Sequence, residues 1–258
     1  MKIFQGNTYN YFDPDNWIGL TAMMYSGNPY LQEQARTVIE RSGAFMKPTG
    51  QLPHHFEGVV PTYIALSGAT QTGPNLFWML TALRYAKESG NSVWLKNYMP
   101  TLRLSLKFLL DLLDPEHHLL YCPGSLMIDV FIRQQLTTDS NAMMVALLRE
   151  FAEAELYMSN HTGADQINSI ANNIVDQINN LLWSDTDNDH FITQRNKDNT
   201  TRDFVDYDAN LIAVAYRVAE GERAQRILKR VDSGRCTHGR ATFVSEKYYG
   251  PKDCFKGK

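Results

Sequence analysis

Cysteine is scarce: Cys122, Cys236 and Cys254 are the only three in 258 residues, an odd number with no Cys-x-x-Cys pair. Neither a disulfide framework nor a thiolate zinc site is indicated, and all three read as free thiols. A surplus of either charge is lacking too. With 25 Lys and Arg against 28 Asp and Glu, the net charge is -3. Binding to phosphate polymers or to anionic membrane surfaces shows as a basic excess, so no nucleic-acid and no membrane partner is expected. No apolar run approaches the ~20 residues of a bilayer span. The opening MKIFQGNTYNYF lacks the apolar stretch of a secretory leader, which leans toward the cytoplasm while leaving the compartment open. There is no G-x-S-x-G, no P-loop and no G-x-G-x-x-G. Acyl hydrolysis, phosphoryl transfer and dinucleotide chemistry therefore have no motif to rest on.

Hydrophobic residues make up 43% of the chain and charged ones 21%, enough for one sizeable core and one globular domain over residues 1–258. Aromatic residues reach 11%, serving either ordinary packing or stacking on a flat apolar ligand face. Apolar positions recur at spacings of 3 and 4, as in Leu102, Leu106, Leu109, Leu110 and Leu113, and again in Ile167, Ile170, Ile174, Ile178, Leu181 and Leu182. This is the period of amphipathic helices. Turn residues at Gly27-Asn28-Pro29, Ser89-Gly90-Asn91, Asn160 to Gly163 and Glu220-Gly221 separate them. The pattern predicts four helical hairpins, at about 14–43, 73–114, 138–184 and 208–231,. Long connections at 46–72 and 115–137 are rich in His, Tyr and Pro, and long ordered loops tend to carry function. Strand-like pieces at Leu119 to Cys122 and His190 to Thr193 are expected to form small β-hairpins, and no exact internal repeat is visible.

Several carboxylates stand out. Asp129 lies among apolar neighbours with Arg133 four residues on. Burial would raise its pKa as a general acid needs, yet an Asp beside an Arg is more often a structural ion pair. Asp139 reads as a helix cap. The run Asp203, Asp206, Asp208 holds more carboxylates than one cap requires. Asp185, Asp187 and Asp189 alternate as in a calcium loop, but the sixth-position glycine and the distal glutamate are missing, which favours a plain turn. The pairs His54-His55 and His117-His118 lack helical i, i+4 spacing, and adjacent side chains on an extended segment point apart, so no metal is expected. Glu246, in Phe243 to Gly250, offers a second carboxylate in an aromatic setting, or an exposed Glu-Lys pair.

Taken in order, these segments resemble the six-hairpin glycosidases, in particular the trehalase and processing α-glucosidase families. Asp129-Val130-Phe131-Ile132-Arg133 looks like their Asp-x-x-x-Arg motif. Thr138 to Ala142 follows it as an Asp-Leu-Asn-Ala helix start does in trehalases, Leu182-Trp183-Ser184-Asp185 closes the next hairpin, and Glu246-Lys247-Tyr248 is similar to a C-terminal Glu-x-Tyr element. The resemblance spans roughly residues 46–255. It implies an all-α, (α/α)6-type toroid and an inverting glycoside hydrolase acting on an oligosaccharide or glycoside without a cofactor. Asp129 would be the acid, Glu246 the base, and Arg133, Gln71, Asn75, Trp78, Tyr207 and Asp208 the sugar contacts. Leu126-Met127-Ile128 replaces the family's Gly-Trp context before the acid, so trehalose itself is not implied. Six hairpins complete such a toroid and four are read here, so a chain truncated at one or both ends is expected. A sugar-binding or scaffold toroid without turnover is the alternative.

Overall fold

The computed structural model describes residues 10–65, 68–126 and 133–238, and the four hairpins are present. They are α1 (Asp13–Tyr25) with α2 (Pro29–Gly43), α3 (Gly73–Ser89) with α4 (Ser92–Leu110), α5 (Thr138–Tyr157) with α6 (His161–Leu181), and α7 (Tyr207–Ala215) with α8 (Gly221–His238). The turns form where the sequence stops one helix and starts the next. Asn28 accepts the Tyr30 N–H at 2.9 Å, and Pro29 opens α2. Gly90 closes α3 with a left-handed φ of 64°, and Asn91 caps α4 by accepting the Trp94 N–H at 3.0 Å,.

Burial sorts the helices into two kinds. α3 is buried on all faces over residues 73–83, and α5 over 138–148. In α4 a single stripe, Trp94, Leu95, Met99, Leu102, Leu106 and Leu109, is buried, and α6 likewise buries Ala171, Ile174 and Ile178. The short loops therefore alternate a helix surrounded by protein with one that covers it.

Two compact units divide the chain: Met1–Leu112 with Glu150–Ala164, and Leu113–Arg149 with Asp165–Lys258. In the first, α1 packs on α3 through Trp17 and Phe77, whose ring centres lie 5.1 Å apart. Arg103 holds both oxygens of Glu155 at 2.8 and 2.7 Å, tying α4 to the end of α5. A three-stranded antiparallel sheet joins β1 (Asn10–Phe12), β2 (His55–Glu57) and β3 (Val60–Thr62). In the second unit, β4 (Tyr121–Cys122), β5 (Gln135–Thr137), β6 (Gln194–Arg195) and β7 (Thr201–Arg202) form one antiparallel sheet in that order. Local antiparallel pairs are thus present within two interhelix loops, β4 with β5 and β6 with β7, and the pairing of β5 with β6 joins them into one sheet.

A repeated device fixes each buried helix to the loop before it. The Asn141 carboxamide accepts the Leu120 N–H at 2.7 Å and donates to the carbonyls of Leu120 and Thr137. The Asn210 carboxamide accepts the Phe191 N–H at 2.8 Å and donates to the carbonyls of Phe191 and Asp206. Asn75 accepts the Leu52 N–H at 3.1 Å and donates to the Gly50 carbonyl and Ser105 Oγ. All three asparagines are wholly buried. A carboxamide can satisfy a backbone donor and acceptor together, as a neighbouring strand would. An internal repeat is therefore present, in geometry and in the recurring Asp-Ser-Asn-Ala and Asp-Ala-Asn-Leu, although the rest of the sequence hides it.

Candidate functional site

The clamped starts of α5 and α7 each bring a carboxylate to Arg133. Asp139, in the first turn of α5, accepts from Arg133 Nη1 at 3.0 Å through one oxygen and from the Ser140 N–H at 2.6 Å through the other. Asp206 is the N-cap of α7, accepting the Ala209 N–H at 3.0 Å, and its second oxygen is ion-paired with Arg133 Nη2. A third carboxylate, Asp208, sits half-buried in the first turn of α7. One cation thus faces three carboxylates in a place with little water. Burial pushes the Asp206 carboxyl up to about 7, against the pull of Arg133 and the Ala209 amide and helped by Asp139 and Asp208. Burial likewise lifts Asp208 to about 6, with Arg133 pulling it down and Asp139 pushing it up,. Chemically this is a network of ion pairs and hydrogen bonds around Arg133, in which Asp208 is the most exposed carboxylate.

Tyr207, between those two aspartates, is almost completely buried. In the first unit, Gln71 is buried just before α3. Asn75 spends its carboxamide on the clamp, and Trp78 donates its indole N–H to the Ile39 carbonyl at 3.0 Å, locking α3 to α2. Asp129 and Glu246 lie outside the described residues. In sequence Asp139 reads as a simple cap, and Asp206 is one of three carboxylates in a run too rich for a single cap. The signal available was a pair of aspartates opening helices that both carry the Asp-x-Asn pattern.

Matches to known proteins come from structure alone: no protein-family model and no curated protein sequence matches the chain. A GH78 family rhamnosidase of Bacillus sp. GL1 superposes with a TM-score of 0.72 over 87% of this chain and 23% of its own, at 18% identity. A GH63 mannosylglycerate hydrolase from Thermus thermophilus, in complex with glucose, gives a TM-score of 0.75 over 96% of this chain and 76% of its own, at 11% identity. The chain shares its fold of helical hairpins with these two glycosidases. A sugar epimerase from a ruminal bacterium also matches, with a TM-score of 0.65 over 87% of this chain and 60% of its own, at 12% identity. The chain therefore spans well under two thirds of the rhamnosidase's length.

Several other polar groups among the described residues bond to one another. His190 is buried between Asp189, at 2.8 Å from Nδ1, and Asp203, at 2.9 Å from Nε2, and Ser184 Oγ donates to Asp203. Ligand atoms of Asp187, Asp189 and His190 lie within 4.8 Å of one another, close enough to suit a cation, but Arg230 already pairs with both aspartates. His54 and His55 do not point apart as strand alternation predicts: their Nδ1 atoms are 2.7 Å apart and both rings are buried, because β2 begins only at His55. Among the described residues, no helix is long and apolar enough to cross a membrane.

Proposed function

We propose that the protein is a glycoside hydrolase that works with inversion, Asp129 acting as general acid and Glu246 as general base within a single α/α domain. Asp129 gives its proton to the glycosidic oxygen as the bond from that oxygen to the anomeric carbon breaks. Glu246 takes a proton from the water whose oxygen bonds to that carbon on the opposite face. Such a reaction needs carboxyl groups about 6.5 to 9.5 Å apart, leaving room for the water. Arg133 and the half-buried Asp208 are the hydroxyl-binding groups in this reading, with Gln71 and Tyr207 beside them in role. Asn75 and Trp78 support the scaffold, their polar atoms being committed to backbone groups and, for Asn75, also to Ser105 Oγ.

The observation that carries the proposal is the Arg133 rack on a fold shared with two glycosidases: paired, buried charges with a third carboxylate, Asp208, only half-buried. A sugar presents vicinal hydroxyls, and a guanidinium beside a carboxylate offers donors and acceptors at matching spacing. The epimerase neighbour favours a second reading, sugar binding without hydrolysis. Incubation with a panel of rhamnosides, glucosides and mannosides separates the two. Release of free sugar by the wild type and its loss in Asp129→Asn and Glu246→Gln supports hydrolysis. Sugar binding with no bond cleavage supports the second reading.

A further inference from the structure

We propose that Asp206 is a positioning residue of the sugar site, holding the Arg133 guanidinium together with Asp139 so that it meets a ligand from one fixed direction. This rests on the reading of Arg133 as a sugar contact. The two terminal nitrogens of Arg133 are gripped from different helices, Nη1 by Asp139 at the start of α5 and Nη2 by Asp206 at the start of α7. Asp206 is itself immobile. Its side chain is 0% exposed, its other oxygen accepts the Ala209 N–H, and its carbonyl accepts from Asn210, which clamps Phe191.

Capping alone does not account for a carboxylate at this place. Asparagine caps a helix as well as aspartate does, and it brings no charge to desolvate. A fully buried carboxylate is costly unless a cation accompanies it, and Arg133 is the cation present. The groups that face Asp206 are Arg133, Asp139, Asp208 and the Ala209 amide. Protonation of Asp206 leaves the cap intact and releases one end of Arg133, so the grip is expected to loosen as pH falls below neutrality.

The substitution Asp206→Asn separates the two roles, since it keeps a capping oxygen and removes the charge. The readout is the arginine side-chain spectrum of the full-length, nitrogen-15-labelled chain, with the Arg133 signals assigned by their loss in Arg133→Lys. In the wild type at pH 8 the two Nη groups of Arg133 should give separate, slowly exchanging signals. In Asp206→Asn they should merge, and binding of rhamnose or glucose, whichever the wild type takes up, should weaken on the order of tenfold or more. Should that variant fail to fold, the wild type moved from pH 8 to pH 5.5 should show the same merging with its circular dichroism unchanged. Separate signals retained in Asp206→Asn, or at pH 5.5, overturn the positioning role and leave Asp206 a cap. A wild type that shows the separate signals and binds neither sugar refutes the sugar-site reading instead.

Discussion

Replacing Arg133 by methionine keeps an unbranched apolar stem and deletes the cation that touches both Asp139 and Asp206. Those carboxylates are 5% and 0% exposed, so neither gains compensating water. Removing one partner from a buried ion pair costs about 3–5 kcal/mol, which lowers the melting temperature of a chain this size by roughly 10 °C. The penalty should depend on pH with a definite sign. Asp206 in the folded state already takes up its proton near pH 7, against about 3.9 in an unfolded chain. Without Arg133 its folded value rises further. A group whose folded pKa is raised contributes stability that is complete below the unfolded value and drains away as pH climbs through the folded one. The Arg133→Met deficit is therefore greatest at pH 8 and shrinks toward pH 5. Urea unfolding followed by circular dichroism at pH 5, 6, 7 and 8 measures it. A deficit under about 1 kcal/mol at pH 8, or one equal at pH 5 and pH 8, refutes the charge-rack account, because a buried pair losing its partner costs several times that.

Asn141→Ala should cost about 3 kcal/mol in the same unfolding assay, since it orphans the buried N–H and carbonyl of Leu120 at the loop clamp,; a loss below 1 kcal/mol would mean that water replaces the amide. Gly50→Ala should cost at least about 2 kcal/mol, because Gly50 has a φ of 88° and a Cβ there would collide with the Leu104 carbonyl,. Burial pushes the Asp114 carboxyl up, but Lys197, His117 and the amides of His117 and Glu116 outweigh it and hold it well below the usual carboxylate range. Its stabilisation is present above the unfolded value of about 3.9 and is lost as pH falls below that. Asp114→Asn should therefore lower the melting temperature at pH 7 more than at pH 2.5, and a shift equal at the two would count against the assignment.

The four hairpins were legible because helical periodicity and its stop signals are local: Gly90, Asn91, Asn28 and Pro29 sit where the turns fall. The site was legible only in part. Arg133 stands out by its spacing from Asp129, and Asp208 by a run of carboxylates before a helix, but the bond from Arg133 to Asp206 joins residues remote in sequence, and no period reports such a pair. Asp139 reads as a cap because caps and ion-pair partners draw on the same residue types at the same helix position. The Asn141 and Asn210 clamps were hidden for a similar reason, as each grips a loop residue of another sequence neighbourhood, Leu120 or Phe191. Aromatic content left packing and stacking open. Among the described residues Trp78, Trp94 and Trp183 are in the core, their indoles spent on Ile39, Glu40 and Asn188.

Hydrolysis with inversion by Asp129 and Glu246, as proposed, fixes the anomer of the first product. Proton NMR of the first product released from the cleaved glycoside, recorded before the sugar equilibrates between anomers, tests it most directly. The account predicts an anomer opposite to that of the substrate, with no product from Asp129→Asn. Product of the same anomeric configuration, or undiminished release by Asp129→Asn, would contradict it.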